Sequence, residues 1–170
     1  MASEGYQHIL NVDWAPSCIK RLQEQDKHAA NHYSVADCRC MPQLADSSFD
    51  AAIDKGTIDG TLCAADGAVN AHKMLCEIHR VLRPGGPLVL ISYGHPQARL
   101  PRVNAADLAW NILTYVATHK QEEETDECGQ AQLTNVVEYE GPYTAKDDLD
   151  SFAMQDDVLY VYVCCKREPT

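Results

Sequence analysis

Three acidic residues each close an apolar run: Asp13 ends "QHILNVD", Asp37 ends "HYSVAD" and Asp54 ends "FDAAID". Apolar runs this short read as β-strands. In open α/β sheets, ligands sit beyond the carboxyl ends of the strands. A carboxylate there can accept hydrogen bonds from ribose hydroxyls or from the amino group of a base. Each acid could instead cap the helix that follows it. Three in succession favour the ligand reading. The third stands in a denser cluster, "FDAAIDKGTIDG", where Lys55, Gly56, Thr57 and Asp59 follow it. Gly56 permits close backbone approach, and Thr57 can cap the next segment. Lys55 either faces a ligand or pairs with Asp59; both readings stand.

Other candidate chemistries are weaker. There are 8 cysteines, but no C-x-x-C pair, so zinc is not expected. Most of them lie inside apolar strand or helix patterns, which reads as reduced, buried thiols. His28 and His32 are spaced i, i+4 without a neighbouring Glu, and read as a solvated helix face. No metal is expected.

The elements that position the acids follow from periodicity. Residues 7–12, 33–36, 50–54, 87–93 and 158–164 are expected as strands of one sheet. Pro16 suits a helix start, with Ile19 and Leu22 as its apolar stripe up to about His28. Residues 66–82 make the clearest helix, with Ala71, Met74, Leu75, Ile78, Val81 and Leu82 on one face. It stops at "RPGG", where Pro84, Gly85 and Gly86 cannot continue it. "PLVLISY" is an apolar strand of the buried parallel kind. Strands alternating with helices imply an α/β fold. "LAWNILTYVATHK" is ambiguous, with a strand beginning near Trp110 preferred; "QEEETDE", residues 121–127, is expected as an exposed loop.

The 170 residues suit a single domain with a real core, with an acidic insertion near 121–157. The net charge is −11, which disfavours nucleic acid and anionic membrane surfaces and favours a basic protein partner. No apolar run is long enough to span a bilayer, and the N-terminus lacks the pattern of a secretory signal. An intracellular, cytoplasmic location is expected, with an organelle left open.

The stretches "NVDWAPSCIKRLQ", "VADCRCMPQLADSSFDAAIDKGTIDG" and "EIHRVLRPGGPLVLISYGHP" resemble class I S-adenosylmethionine-dependent methyltransferases. "FDAAIDKGTIDG" is similar to the branch that includes lysine methyltransferases of elongation factor 1-alpha. The resemblance covers residues 6 to about 100 and returns at "VLYVYVCCK". It implies a Rossmann-like fold with a largely parallel sheet and an antiparallel last strand. It implies S-adenosylmethionine as cofactor. Asp13, with Trp14 beside it, matches the ribose contact. Asp37 and Cys38 match the adenine contact. Asp54 and Lys55 match residues facing the methyl donor and the acceptor channel, where Asp54 could orient an amine.

One part of the family pattern is missing. Its first strand and glycine-rich loop should precede the strand ending at Asp13, and no G-x-G occurs there. The first strand and helix are therefore expected to be absent, leaving two strand edges without partners. Two functions follow. One is a protein-lysine methyltransferase. The other is a non-catalytic methyltransferase-fold subunit of a larger assembly, with another chain supplying or covering the missing strand. A small-molecule methyltransferase is a weaker third.

Overall fold

The computed structural model describes residues 1–125, 131–144 and 158–168. The chain opens with a single 3-10 turn at Ala2–Glu4, then alternates strand and helix: β1 (Ile9–Asp13), α1 (Pro16–Gln25), β2 (Asn31–Val35), β3 (Ala52–Lys55), α2 (Thr57–Leu62), α3 (Gly67–Val81), β4 (Pro87–Ser92) and α4 (Pro96–Val103). Three long strands complete it: β5 (Trp110–Thr125), β6 (Ala131–Tyr143) and β7 (Val158–Lys166). No helix among the described residues is long and apolar enough to cross a membrane.

The strands form two sheets, not one. β1 pairs in parallel with β2, and a separate five-stranded sheet runs β3-β4-β7-β5-β6. The expectation of a single sheet is thereby corrected: among the described residues no strand bridges β1 and β3, and these two do not pair with each other. In the larger sheet β3 and β4 are parallel, while β7 is antiparallel to both β4 and β5. β3, β4 and β5 therefore run one way, with the reversed last strand inserted between β4 and β5. The expected reversal of the last strand holds.

Local sequence explains the boundaries. Pro16 supplies the first residue of α1 with a preset φ. Asp26 ends that helix and accepts from the His28 amide at 2.8 Å, from Asn31 Nδ2 and from the Tyr33 hydroxyl. One carboxylate thus ties α1 to β2. It also moves His28 and His32 off a common helix face: His28 lies in the turn and His32 in β2. α3 buries Ala71, Met74, Leu75, Ile78 and Val81, as its spacing requires, and Leu82 beyond its end. Of these, Ala71, Met74, Leu75, Ile78 and Leu82 pack with Leu88, Leu90, Val103, Trp110, Tyr160 and Tyr162 in one core. Burying each of the Leu, Ile, Val and Met side chains contributes about 1.5–3 kcal/mol.

The "RPGG" stop has a packing reason as well. Gly85 takes a left-handed φ of 76°, and a Cβ at Gly86 would lie 2.9 Å from the carbonyl oxygens of Arg83 and Asp50. The Lys166 ammonium then caps α3, donating to the His79 and Leu82 carbonyls at 2.7 Å each.

Two further expectations change. Residues 121–125 of the acidic run continue β5 and do not form a loop; 126, 127 and 145–157 lie outside the described residues. Buried thiols were expected, yet Cys40 and Cys63 are exposed, and among the described cysteines only Cys164 is fully buried. Cys40 sits in the turn after Asp37 and Cys63 caps the end of α2, both outside the apolar patterns of the elements.

Candidate functional site

The three acids stand at or just past the ends of β1, β2 and β3. β1 and β2 pair in register through Asp13 and Val35, and the Ala36 amide then donates to the Asp13 carbonyl at 3.0 Å. Asp37 and Cys38 follow directly. Cys38 packs against the core. Burial pushes its thiol pKa up, and the nearby carboxylates of Asp37 and Asp54 push it further.

Each acid has a local structural partner too. Asp13 Oδ1 accepts from the Ala15 amide at 2.8 Å, beside the start of α1, leaving Oδ2 as an acceptor. Asp37 is gripped by Arg39, whose Nε and Nη2 donate at 2.9 and 2.7 Å. That pairing holds the Asp37 carboxyl below its usual range. Asp54 is buried at 5% exposure, and its two oxygens accept from the Thr57 and Ile58 amides at 3.2 Å. It thus satisfies two of the orphan donors at the start of α2. Gly56, at φ 78°, makes the turn between them. Trp14 is 79% exposed.

Lys55 is exposed, and among the described residues it makes no ion pair. The alternative pairing with Asp59 is ruled out by what Asp59 does instead. Asp59 Oδ1 accepts from Arg99 Nη2 at 2.5 Å and from the Ser92 hydroxyl at 2.6 Å, and Oδ2 accepts from the Tyr93 amide at 3.1 Å. Arg99 Nε also donates to Ser92 at 3.0 Å. Ser92 accepts a second bond from the Gly94 amide at 2.9 Å, and the Tyr162 hydroxyl donates to the Gly94 carbonyl at 2.6 Å. This network locks the carboxyl end of β4 to α2 and α4. Sequence reading did not identify Ser92 or Arg99. The available signal was a hydroxyl and a glycine directly after an apolar strand, in "ISYG".

The connection from Asp37 to β3 is pinned separately. Arg80, on α3, donates to the carbonyls of Met41 and Leu44 at 2.9 and 2.8 Å, and pairs with Asp46 at 2.6 Å and Glu77 at 2.9 Å. Glu77 accepts from the Met41 amide at 2.5 Å. The loop carrying the second acid is thus anchored to the best-packed helix of the core.

These residues fit a nucleoside-bearing cofactor. A free carboxylate oxygen at the end of β1 suits vicinal hydroxyls. The half-buried Cys38 suits a planar base, flanked by Asp37 as an acceptor, while the exposed Trp14 stands beside Asp13 at the ribose end. S-adenosylmethionine bound there would supply an electrophilic methyl group on sulfur.

Comparison with known proteins identifies the family and the fold. A family model described as "Methyltransferase domain" matches residues 1–90. The "eEF1A lysine and N-terminal methyltransferase" of Danio rerio is 28% identical over 123 residues, covering 72% of this chain and 18% of that protein. The mitochondrial "Citrate synthase-lysine N-methyltransferase CSKMT" of Pongo abelii is 37% identical over 118 residues, covering 61% of this chain and 48% of that protein. The chain therefore spans about half, or less, of the length of these relatives. A crystal structure of an S-adenosylmethionine-dependent methyltransferase from Methanosarcina mazei superposes with a TM-score of 0.56 at 14% identity, over 99% of this chain and 85% of that one; at that identity it speaks to the fold alone. With its α/β order, its reversed last strand and its strand-end acids, the chain belongs to the class I S-adenosylmethionine-dependent methyltransferase family.

Proposed function

We propose that this chain is a methyl-transfer module acting on a protein amine, with a lysine side chain as the acceptor. The observation that carries the reading is the set of strand-end acids Asp13, Asp37 and Asp54, which offers acceptors for a nucleoside beside the exposed Lys55. In this reading Asp13 and Trp14 hold the ribose end, and Asp37 and Cys38 the adenine. Asp54 and Lys55 border the mouth where the acceptor enters. A lysine ammonium must shed a proton before its lone pair can attack the methyl carbon, so the mouth must position and desolvate the amine. With both oxygens held by α2, Asp54 is a rigid acceptor for that amine. The net charge of −11 steers a basic protein towards the chain. The relatives' names, which specify lysine methylation of elongation factor 1A and citrate synthase, support the acceptor class.

A second reading is a methyltransferase-fold subunit without its own chemistry. It draws on the edges of β1 and β3, each with one strand partner among the described residues, and on the exposed Val12 and Ile53 on those strands. A strand added by a partner would satisfy those edges.

Titration calorimetry with S-adenosylmethionine on the 170-residue chain separates the two. The enzyme reading expects saturable binding, weakened by about 1–3 kcal/mol in Asp13→Ala as a charge-assisted hydrogen bond is lost. It also expects labelled methyl transfer to a basic protein extract. No binding and no transfer would favour the subunit reading, and binding unchanged in Asp13→Ala would refute the ribose assignment.

A further inference from the structure

Away from the strand-end acids, three side chains with metal-ligating atoms meet at one point. His72 and Cys76 lie one turn apart on the same face of α3, and Asp107 reaches them from the turn between α4 and β5. His72 Nε2 is 3.0 Å from Asp107 Oδ2 and 3.5 Å from Cys76 Sγ. Cys76 Sγ is 3.9 Å from Asp107 Oδ2.

Two physical readings compete. A Cys-His-Asp relay would use the two imidazole nitrogens separately, one towards the thiol and one towards the carboxylate. Here both neighbours lean on the same nitrogen, Nε2, and also on each other. That excludes a relay and leaves convergence on a shared centre. Metal–ligand lengths of about 2.3 Å to sulfur and about 2.0–2.2 Å to nitrogen and oxygen set donor separations of roughly 3.3–3.6 Å in a tetrahedron. The three observed separations bracket that range, within about 0.4 Å at each.

The donors are held by the fold. Ala71 and Leu75, beside His72 and Cys76, are buried at 1% and 0% exposure. Cys76 itself packs against the core. The turn bearing Asp107 is anchored by the buried Leu108, whose amide donates to the Ala105 carbonyl at 2.9 Å. Half-exposed His72 and Asp107 leave the outer side open to solvent.

We propose that His72, Cys76 and Asp107 form a divalent transition-metal site, with zinc the ion its nitrogen, sulfur and oxygen donors fit best. On binding, the Cys76 thiol gives its proton to solvent as the metal–sulfur bond forms, and nothing is oxidised or reduced. Three protein ligands leave the fourth position to water. The ion would staple α3 to the 104–109 connection, joining the helix that anchors the Asp37 loop to the start of β5. The expectation of no metal rests on the lack of a C-x-x-C or H-E-x-x-H pattern; a single Cys with His one turn before it matches neither.

The test titrates cobalt(II), as a spectroscopic stand-in for zinc, into the reduced 170-residue chain. Expected are one saturable equivalent, a thiolate-to-cobalt charge-transfer band, and displacement of the cobalt by zinc. Cys76→Ser should abolish the band. His72→Gln and Asp107→Asn should each weaken binding tenfold or more, since even outer residues of such sites cost about 10–100-fold. Asp107 is exposed, so its Asn variant keeps the fold and the comparison stays readable. Exposed Cys63→Ser should bind like the parent chain. A band that survives in Cys76→Ser, undiminished affinity in Asp107→Asn, or no saturable site in the parent chain would overturn the proposal.

Discussion

The Arg99 network makes a sharp prediction at Gly94. A Cβ on Gly94 would lie 2.2 Å from Arg99 Nη2 and 2.6 Å from both Cζ and Nε. It would therefore stand against the face of the guanidinium. Arg99 is 7% exposed and clamped by Asp59 and Ser92, so it cannot swing away without breaking both bonds. A hydrogen bond to a charged partner is worth about 1.5–3 kcal/mol and a neutral one about 1 kcal/mol. Gly94→Ala should thus cost about 3 kcal/mol, lowering the melting temperature by roughly 6–12 °C for a chain of this size. The assay is urea unfolding followed by the fluorescence of Trp110, which is 1% exposed. A lower midpoint with an unchanged slope is expected. Arg99→Ala should cost a similar amount, because Ser92 loses a donor and Asp59 its counter-charge. In the Arg99→Ala background the clash no longer exists, and Gly94→Ala should then cost less than about 0.5 kcal/mol, the range of an unremarkable substitution. The coupling energy of this double-mutant cycle is the decisive quantity. Equal cost of Gly94→Ala in both backgrounds would refute the reasoning, as would a near-neutral Gly94→Ala in the parent chain.

Three other outcomes are expected. Asp54→Ala strands the Thr57 and Ile58 amides and should cost about 1–3 kcal/mol, with faster hydrogen exchange at those two amides; Asp54→Asn, which keeps one acceptor, should lose less. Gly86→Ala forces a Cβ against two backbone carbonyls that cannot yield independently, and should destabilise by about 1–3 kcal/mol in the same urea assay. Burial, aided by the Lys166 charge, lowers the His79 pKa from its ordinary 6.5, so the unfolded chain takes up that proton first. Stability should fall as pH drops from about 6.5 towards the folded value, and His79→Gln should flatten that stretch of the pH–stability curve.

Much of this molecule follows from patterns a few residues long. The buried stripe of α3 repeats with the helical period, and all six of its expected apolar residues are buried. Pro16 and "RPGG" mark a helix start and a helix stop through backbone geometry alone. Apolar runs ending in acid locate the ends of β1, β2 and β3 to within a residue or two, because strand and loop chemistry change at that point. Trp110 begins β5 as expected. Short elements were harder: α2 has 6 residues and α4 has 8, too few for a period to stand out.

What tertiary structure decided are the pairings between residues far apart in sequence. Asp59 could pair with Lys55, four residues away, yet it pairs with Arg99, 40 residues on; α4 packs beside α3 and brings a buried guanidinium that demands a carboxylate. Asp107 meets His72 and Cys76 only because the 104–109 turn folds back onto α3. The order β3-β4-β7-β5-β6 and the separation of β1 and β2 from it depend on which edges find partners. Periodicity specifies which face of an element is buried, but the identity of the neighbour on that face is chosen by the packing of the whole chain.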